Sequence, residues 1–429
     1  MKQLSIFLIT SILFSACHTQ YVVSEDHARE IISTLAADKM KGRKTFSPEI
    51  DEAANYIASK FEEAGLETLP ELNSYFQKFN MYSLGKSSSE MLINDLPVSE
   101  SDYFITAKSE SVSLDSSSSQ IIYISANDDL GISLKSLMEQ DKSLFVVIDP
   151  THREMFNRYK NYFGRSRPIF ELDNSSNKAF VISENNSIES FNLEAKYKVE
   201  KSSLTNVTGR IEGNRKDEIV LFSAHYDHIG MLKSIEGDSI ANGANDDASG
   251  TTAVIELANY FASTEKPERT IYFVAFTAEE IGGYGSQFFS KQLNPDQIVA
   301  MFNIEMIGKP AVSGPNSAWI TGFDKSDFGE LLQKSVEGSA YEFYPDPYPD
   351  QNLFYRSDNA TLARLGVPAH SISTTPIDVD KDYHQVSDEV GTLDIGHMVN
   401  TIKALVEGAK GIVSGIQTPK RVDTSLIEH

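Results

Sequence analysis

Short apolar runs alternate with segments of helical periodicity through the second half of the chain. The runs are typical of strands buried on both faces, and they are IVLFSA from Ile219, TIYFVAFT from Thr270, IVAMFNIE from Ile298, AWIT from Ala318 and PAHSI from Pro368. Helical patterns begin near Ala248, Tyr284, Lys325 and Asn359, and a last one runs from Ile395 to Ile412. This alternation predicts a three-layer α/β/α fold, in which helices cover both faces of a mixed, largely parallel central sheet.

The beginning of the chain also has helical periodicity. Apolar residues recur at helical spacing in two runs between Ser24 and Leu66, and Ser47-Pro48 supplies a cap and a first-turn proline for the second run. We therefore expect two helices joined by the segment DKMKGRKTF.

The amino-acid composition changes between residues 75 and 201, where Ser-rich and Asn-rich stretches such as SVSLDSSSSQ separate short apolar runs. This pattern predicts a small β-rich insertion with one helix near Arg153 to Tyr162. Its sequence leaves open whether it is a lid, a partner-binding module or a spacer. The predicted divisions are a signal peptide at 1–16, the first part of the main domain at 17–74, the inserted subdomain at 75–201, the rest of the main domain at 202–415 and a tail at 416–429.

The first residues are typical of an export signal. Lys2 supplies a positive start and Ile6 to Phe14 a short apolar stretch, too short to span a membrane as a mature helix. Ser15, Ala16 and Cys17 are similar to a bacterial lipoprotein processing box, although Phe14 stands where Leu is more usual. We expect cleavage before Cys17, a lipid on its thiol and attachment to the cell envelope. The alternative is an ordinary signal peptide and a secreted protein.

Composition narrows the choice of partners. The chain has 61 acidic and 38 basic residues and a net charge of −23, which argues against nucleic acid and against electrostatic binding to an anionic membrane surface. Its single cysteine leaves no partner for a disulfide within the chain. With 429 residues the chain is long enough for one large α/β domain with an insertion or for two domains, and its oligomeric state is left open.

Two neighbouring motifs carry metal-binding chemistry. AHYDHIG contains His225 and Asp227, and NGANDDASG contains Asp246 and Asp247 in a turn rich in Gly and Asn. Imidazole nitrogen and carboxylate oxygen are the ligands that zinc prefers, and a two-metal site needs one carboxylate that reaches both ions. An acidic helix cap is the alternative reading of the second motif. We expect the Asp227 carboxylate to hold the second imidazole nitrogen of His225.

Three further motifs follow predicted strands or lie in an acidic loop. TAEEIGGYGS places Glu279 and Glu280 at a strand end, FNIEMIG places Glu305 at the next, and DYHQVSD contains His384. Adjacent glutamates point in different directions, so one can bind metal while the other acts on water. An unpaired Glu305 carboxylate would be costly to bury, and metal ligation would remove that cost. Each motif alone also fits solvated loop residues.

Taken in order, the motifs resemble metallopeptidase family twenty-eight. This is a group of co-catalytic zinc exopeptidases that includes bacterial leucyl aminopeptidases, glutamate carboxypeptidase and, in a single-zinc form, glutaminyl cyclases. The resemblance covers roughly Ser24 to Gly415 and is weak in the insertion; the early LAADKMKGR is also similar to the amino-terminal segment of the family.

The resemblance implies two zinc ions and their ligands. His225 and Glu305 would hold one ion, Glu280 and His384 the other, and Asp246 would bridge both. Glu305 stands where relatives often have Asp, so its longer side chain puts the geometry of the first ion in question.

The resemblance also implies roles for the remaining site residues. Glu279 would be the general base for a metal-bridging hydroxide, and Asp227 would orient His225. In RSDNATLARLGVPA, Asp358 matches a family position near the site, and Asn359 stands where many members have His. The implied function is hydrolysis of peptide bonds by a zinc exopeptidase, most simply an aminopeptidase acting on peptides.

Substrate preference and reaction class have alternatives. Tyr344 and Tyr348, in an aromatic segment before the RSDNATLARLGVPA motif, either line a side-chain pocket or belong to a proline-rich surface loop. Relatives on this fold include single-zinc glutaminyl cyclases, and a non-catalytic surface-binding lipoprotein is a third possibility. All the ligand positions are occupied by ligand-type residues, which favours the two-zinc peptidase.

Overall fold

A computed structural model of the chain describes residues 20–164, 166–173, 175–185 and 187–427. Cys17 and the predicted signal peptide lie outside this range. The helices are α1 (Glu25–Leu35), α2 (Pro48–Glu63), α3 (Leu130–Met138), α4 (Arg153–Phe163), α5 (Gly250–Ala262), α6 (Tyr284–Gln292), α7 (Phe328–Ser335), α8 (Asn359–Ala363) and α9 (Ile395–Val413).

The strands of the first half of the chain are β1 (Phe76–Ile93), β2 (Leu96–Pro97), β3 (Tyr103–Thr106), β4 (Ser111–Asp115), β5 (Gln120–Ile124), β6 (Leu144–Ile148), β7 (Lys178–Ile182) and β8 (Phe191–Ile211). Those of the second half are β9 (Arg215–His225), β10 (Gly230–Ile235), β11 (Asp238–Ala241), β12 (Arg269–Phe276), β13 (Ile298–Ile304), β14 (Ser317–Ile320), β15 (Glu342–Pro345) and β16 (Ala369–Ser373). The chain divides into two compact units, one comprising the described residues up to Lys78 and from Thr205 onward, the other Phe79–Leu204.

The first unit contains the central sheet, in which the strand order is β15-β14-β16-β13-β9-β12-β8. Strands β12, β9, β13 and β16 are parallel neighbours, whereas β8 and β14 pair antiparallel at either side. The register places Phe276 beside His225 and Asn303 beside Ser223. The parallel strands therefore end at one edge of the sheet. This mixed, largely parallel sheet confirms the predicted α/β fold class.

Both faces of this sheet are covered, which explains the continuous apolar runs in the sequence. Along β9, Val220 and Phe222 pack into the core formed with α1, α2, α5 and α9, while Leu221 faces the opposite core with α6 and α8. Because successive side chains on a strand point to opposite faces, a strand between two helical layers has few polar positions.

The amino-terminal helices follow their sequence signals. The Ser24 hydroxyl accepts a hydrogen bond from the backbone N–H of His27 at the start of α1, and Pro48 is the first residue of α2. Between them, Asp38–Arg43 forms a short irregular turn in which Lys41, Gly42 and Arg43 have positive φ. A side chain at position 42 would meet the Ala241 carbonyl oxygen, 2.2 Å from an ideal Cβ, so only glycine fits there.

The second unit has its own small sheet, β3-β7-β6-β5, in which β5, β6 and β7 are parallel and β3 is antiparallel to β7. Helices α3 and α4 pack on one face through Leu134 and Phe156. On the other face, Phe145 stacks against Phe191 with ring centroids 3.8 Å apart. Only one helix was expected in this region, and α3 is the additional one.

Among the residues described, none of the helices combines the length and the apolar character that crossing a bilayer requires.

Candidate metal centre

The structure brings the five predicted ligands together at the carboxyl edge of the central sheet. Together with His228, they form two donor groups that share Asp246: His225, Asp246 and Glu305 in the first, and His228, Asp246, Glu280 and His384 in the second. Within each group, one donor atom per residue lies within 4.8 Å of all the others. His225 ends β9, Glu280 and Glu305 follow β12 and β13, and Asp246 precedes α5. Parallel strands place such side chains at one edge because they end side by side.

In the first group, His225 Nε2 lies 3.2 Å from Asp246 Oδ1 and 3.2 Å from Glu305 Oε1. The second oxygen of Glu305 accepts a hydrogen bond from Ser357 Oγ at 2.7 Å. The extra methylene of Glu305, relative to Asp, therefore does not keep its carboxylate away from His225.

In the second group, His384 Nε2 lies 3.2 Å from Asp246 Oδ2 and 3.1 Å from Glu280 Oε2. The Nδ1 atom of His228 lies 2.8 Å from Glu280 Oε1 and 3.8 Å from Asp246 Oδ2. Asp246 thus presents one oxygen to each group. His228 was missed by the sequence analysis, which had assigned only His225 from the same motif.

These donors fit divalent zinc. Tetrahedral zinc with bonds of about 2.0–2.1 Å separates neighbouring ligand atoms by about 3.3 Å, and the closest separations here run from 2.8 Å to 3.8 Å. His228 Nδ1 and Glu280 Oε1 are buried and lie 2.8 Å apart, but neither makes a hydrogen bond of normal geometry. A cation held between them would satisfy both atoms.

The electrostatics of the cluster also require positive charge. Burial alone would raise the pKa of the Asp246 carboxyl, but hydrogen bonds from His225 and His384 outweigh it and lower that pKa below its ordinary value. Burial would lower the pKa of His384, yet its bonds to Asp246 and Glu280 raise that pKa to about 10. The raised pKa values of His225 and His384 favour their protonated forms, and a bound metal ion would supply this positive charge instead.

Glu279 belongs to neither donor group but lines the same cleft. Burial raises the pKa of its carboxyl well above the ordinary value, and the neighbouring charges of Glu305, Asp358 and Glu280 raise it further. A carboxyl whose pKa is shifted toward neutrality is suited to both accepting and returning a proton.

Asp227 acts differently from the sequence-based expectation. The Nδ1 atom of His225 lies 3.0 Å from the backbone carbonyl of Asp227, whereas the Asp227 carboxylate is 3.8 Å away. A carbonyl only accepts, so Nδ1 carries a proton, and Nε2, which faces Asp246 and Glu305, is the nitrogen that would bind a metal ion. The Asp227 carboxylate accepts instead from the backbone N–H groups of Glu279 and Glu280, at 3.0 Å and 3.3 Å. It positions the glutamate pair rather than the imidazole.

Two more carboxylates hold the backbone of the centre. Asp247 is fully buried and accepts from the N–H groups of Met306 and Gly250 at 2.9 Å and 3.0 Å. Asp388 accepts from the N–H groups of Asn245 and Asp246 at 2.8 Å and 3.0 Å. The contacts of Asp247 with Met306 and of Asp388 with Asn245 and Asp246 join segments far apart in sequence, and no local motif reveals them.

Arg43 connects the loops that carry the ligands. It is completely buried, and its guanidinium donates to the carbonyl oxygens of Tyr226, Asn242 and Gly243 at 2.7, 2.7 and 2.8 Å. Tyr226 lies next to His225 in the first motif, and Asn242 and Gly243 begin the second. The early segment LAADKMKGR therefore contributes a residue that holds the two metal-binding motifs together.

The cleft above the metal centre has an empty volume of about 590 Å³. Its lining contains the site carboxylates, His384 and Arg356, and an apolar wall of Met306, Trp319, Leu353, Ile377 and Tyr383.

Tyr344 and Tyr348, for which the sequence allowed either a pocket wall or a surface loop, are not among the residues that line this cleft. Tyr344 is 37% exposed on β15 and bonds Glu342, while Tyr348 packs edge-on against Trp319 with ring centroids 5.8 Å apart. Asp358 is buried beside the centre, where burial raises its pKa to about 7, and Asn359 is buried and donates to the Phe354 carbonyl.

Known proteins share this sequence pattern and this fold. Leucine aminopeptidase 1 of Trichophyton rubrum is 28% identical over 202 residues, which cover 45% of this chain and 54% of that protein. The chain thus spans about half the length of the curated relatives it matches.

Solved structures at lower identity share the fold. A zinc aminopeptidase from Bacillus subtilis superposes with a TM-score of 0.54 at 15% identity, covering 93% of this chain and 98% of the other. An aminopeptidase from Aneurinibacillus sp. strain AM-1 gives a TM-score of 0.52 at 17% identity, with 95% and 96% coverage.

The family match covers the segment that carries the metal centre. Residues 206–408 match the sequence model of peptidase family M28, and this segment contains both donor groups and Glu279. In this segment the chain is similar to peptidase family M28, and the solved structures show that the fold is shared.

Proposed function

We propose that the protein is a zinc-dependent aminopeptidase that binds two zinc ions and hydrolyses peptides at the amino terminus. The observation that carries the proposal is the pair of donor groups sharing Asp246, with Glu279 beside them and in neither. A shared carboxylate between two donor groups is the arrangement that a two-metal hydrolytic site needs. The relatives named leucine aminopeptidase support the proposal that cleavage takes place at the amino terminus of the peptide.

Different side chains of the protein have different roles in the reaction. When bound, the two ions would polarise the scissile carbonyl and acidify water. Glu279 accepts the proton of the attacking water at its carboxylate and delivers it to the nitrogen of the departing peptide. Asp227 keeps Glu279 and Glu280 in place through their backbone N–H groups, so the base and a ligand are positioned by one residue.

The apolar wall of the cleft favours a substrate with an apolar first side chain. Trp319, Leu353 and Ile377 form this wall within reach of the same cavity as Glu279 and Glu305. Arg356 lines the cleft as well, and an arginine is the group that would favour a substrate carboxylate, as a carboxypeptidase requires. Carboxypeptidase activity is therefore the second candidate.

An assay with matched substrates tests the proposal. We expect hydrolysis of leucyl substrates, with kcat/KM about 10-fold or more above alanyl substrates because apolar side chains gain binding energy in the cleft. Peptides blocked at the amino end should be resistant, and those blocked at the carboxyl end should be cleaved. A chelator should abolish turnover and added zinc should restore it. Cleavage only of amino-blocked peptides would favour the carboxypeptidase, and chelator-resistant turnover would contradict the metal mechanism.

A pair of variants locates the pocket in the same assay. Ile377→Ala should lower the leucyl-to-alanyl preference by about 10-fold, because it removes part of the apolar wall. Tyr344→Ala is the control, since its exposed side chain is not in the cleft lining. A changed preference in Tyr344→Ala, with none in Ile377→Ala, would place the pocket at the aromatic segment instead.

We also propose that the mature protein is exported and anchored by a lipid on Cys17. The apolar stretch followed by Ser15, Ala16 and Cys17 supports this location. Cys17→Ser should move the protein from the membrane fraction to the soluble fraction of a bacterial host, measured by immunoblotting after fractionation. Retention of the variant in the membrane fraction would remove the anchor from the proposal.

A further inference from the structure

We propose that His228 is a zinc ligand, so that the two ions are held unequally: one by four protein donors and the other by three. The inference rests on the metal-binding part of the proposed function and not on the peptidase activity.

The first argument is the burial of the ring against carboxylates. The side chain of His228 is 0% exposed; its Nδ1 lies 2.8 Å from Glu280 Oε1 without normal hydrogen-bond geometry, and its Nε2 has no hydrogen-bond partner. A neutral imidazole carries one donor and one acceptor, and both are costly to leave unpaired away from water. A histidine in a protein core is normally bonded on at least one side. Metal ligation would satisfy Nδ1, the nitrogen that faces the cluster.

The second argument is the direction of Nδ1. It lies 2.8 Å from Glu280 Oε1 and 3.8 Å from Asp246 Oδ2, and the ring meets that of His384 edge to face, with centroids 5.6 Å apart. His384 approaches the same two carboxylates, at 3.1 Å and 3.2 Å. Two imidazoles and two carboxylates therefore converge on one point, which is a complete tetrahedral ligand set for zinc.

The third argument is how the ring is held. The backbone N–H of His228 donates to the carbonyl of Arg43 at 3.2 Å. Gly243 has a φ of +59° and packs against the ring, because an ideal Cβ at this position would lie 2.5 Å from His228 Cγ. The Gly243 carbonyl is itself bound by Arg43. The orientation of the imidazole is thus fixed from its backbone and from the turn that carries Asp246.

The two sites differ in the number of zinc coordination positions that the protein leaves open. His225, Asp246 and Glu305 supply three protein donors, the number typical of a catalytic zinc with an open position, whereas four donors are typical of a closed site. We therefore assign the tighter zinc binding to the site with His228, which should be filled first. The site with Glu305 should exchange its ligands more readily.

Counting imidazoles per zinc in the wild-type protein tests the assignment without a variant. Metal-free protein is loaded with one and then two equivalents of zinc, and X-ray absorption at the zinc edge gives the number of imidazole ligands. If His228 is a ligand, the zinc of the first equivalent should be bound by two imidazoles, and the zinc of both equivalents together by three. One imidazole at the first equivalent and two shared by both ions would overturn the proposal.

Zinc affinity supplies the second measurement. Competition with a chromophoric chelator should give two dissociation constants, and His228→Ala should weaken the tighter one by about 10- to 100-fold or more while leaving the other within a few fold. His397→Ala is the matched control: His397 is buried on α9, also lacks hydrogen-bond partners for both ring nitrogens, and lies in neither donor group. Unchanged affinities in His228→Ala would count against ligation.

The outcomes separate the two proposals. If the wild type binds two zinc ions with two imidazoles in total and hydrolyses peptides, the assignment of His228 fails and the proposed function stands. If the wild type binds no zinc, both fail.

Discussion

Replacing Glu279 with Gln is expected to lower kcat by about 10²- to 10⁴-fold, because the amide cannot accept the proton of the attacking water. The substitution preserves size, and the backbone N–H of residue 279 can still donate to Asp227. Since Glu279 is in neither donor group, metal content should remain that of the wild type. Steady-state kinetics and elemental analysis of the same preparation measure both quantities.

Two observations would separate a chemical role from a structural one. Glu279→Asp keeps a carboxylate one methylene shorter, so it should retain more activity than Glu279→Gln if proton transfer is the function of the residue. Loss of zinc from Glu279→Gln would point to a disturbed ligand set instead. Turnover of Glu279→Gln at the wild-type rate would exclude the residue as the general base.

The second large effect is expected for Asp246→Asn, which should weaken zinc binding at both sites by about 100-fold or more and reduce activity to background. Asp246 places Oδ1 near His225 and Oδ2 near His384, so a single substitution disturbs both donor groups. An amide also removes one negative charge from the cluster, which lowers its attraction for cations. Zinc content after dialysis, together with a thermal unfolding curve, measures the effect.

Asp358→Asn is the matched control for Asp246→Asn. Asp358 is a buried carboxylate at the same centre, but it belongs to neither donor group. This variant should keep two zinc ions per chain. If Asp246→Asn loses only one ion, Asp246 does not bridge, and the shared-carboxylate interpretation is wrong.

Much of the fold was predictable because burial on two faces leaves a simple sequence pattern. In β12 the side chains of Ile271 and Phe273 face one core, and Tyr272 and Val274 face the other, so the run TIYFVAFT has no alternation to confuse with an exposed strand. Helix α3 was missed because its sequence has no such clear pattern. Its sequence LGISLKSLM is short and contains Gly and Ser, and it is a helix because Leu130, Leu134 and Leu137 pack into the core of its own unit.

Five members of the two donor groups were predictable because they stand at strand ends and in distinctive motifs. His228 was not, because β9 ends at His225 and strand alternation no longer indicates where later side chains point. Its direction depends on Gly243, fifteen positions further on. The presence of a second histidine in AHYDHIG was the only local signal.

The roles of Asp227 and Tyr344 were also beyond local sequence reasoning. The Asp227 carboxylate accepts from backbone groups more than fifty residues away, and such contacts exist only after the strands have been placed side by side. Tyr344 is exposed because β15 pairs with β14 at the end of the sheet order, and aromatic content alone does not reveal which side of such a strand faces a cleft.

Arg43 shows that the segment matched by the family model does not contain every residue that supports the metal centre. The family match begins at residue 206 and contains both donor groups, but three carbonyl oxygens of the loops around them are bound by the Arg43 guanidinium, more than 160 positions upstream. Thr45 donates to Asp227 from the same upstream stretch, at 3.0 Å. A recombinant fragment cut at the family boundary would contain all the metal-binding side chains and still lack part of the frame that aims them. Transplanting this centre into another scaffold would therefore require the upstream turn as well as the motifs.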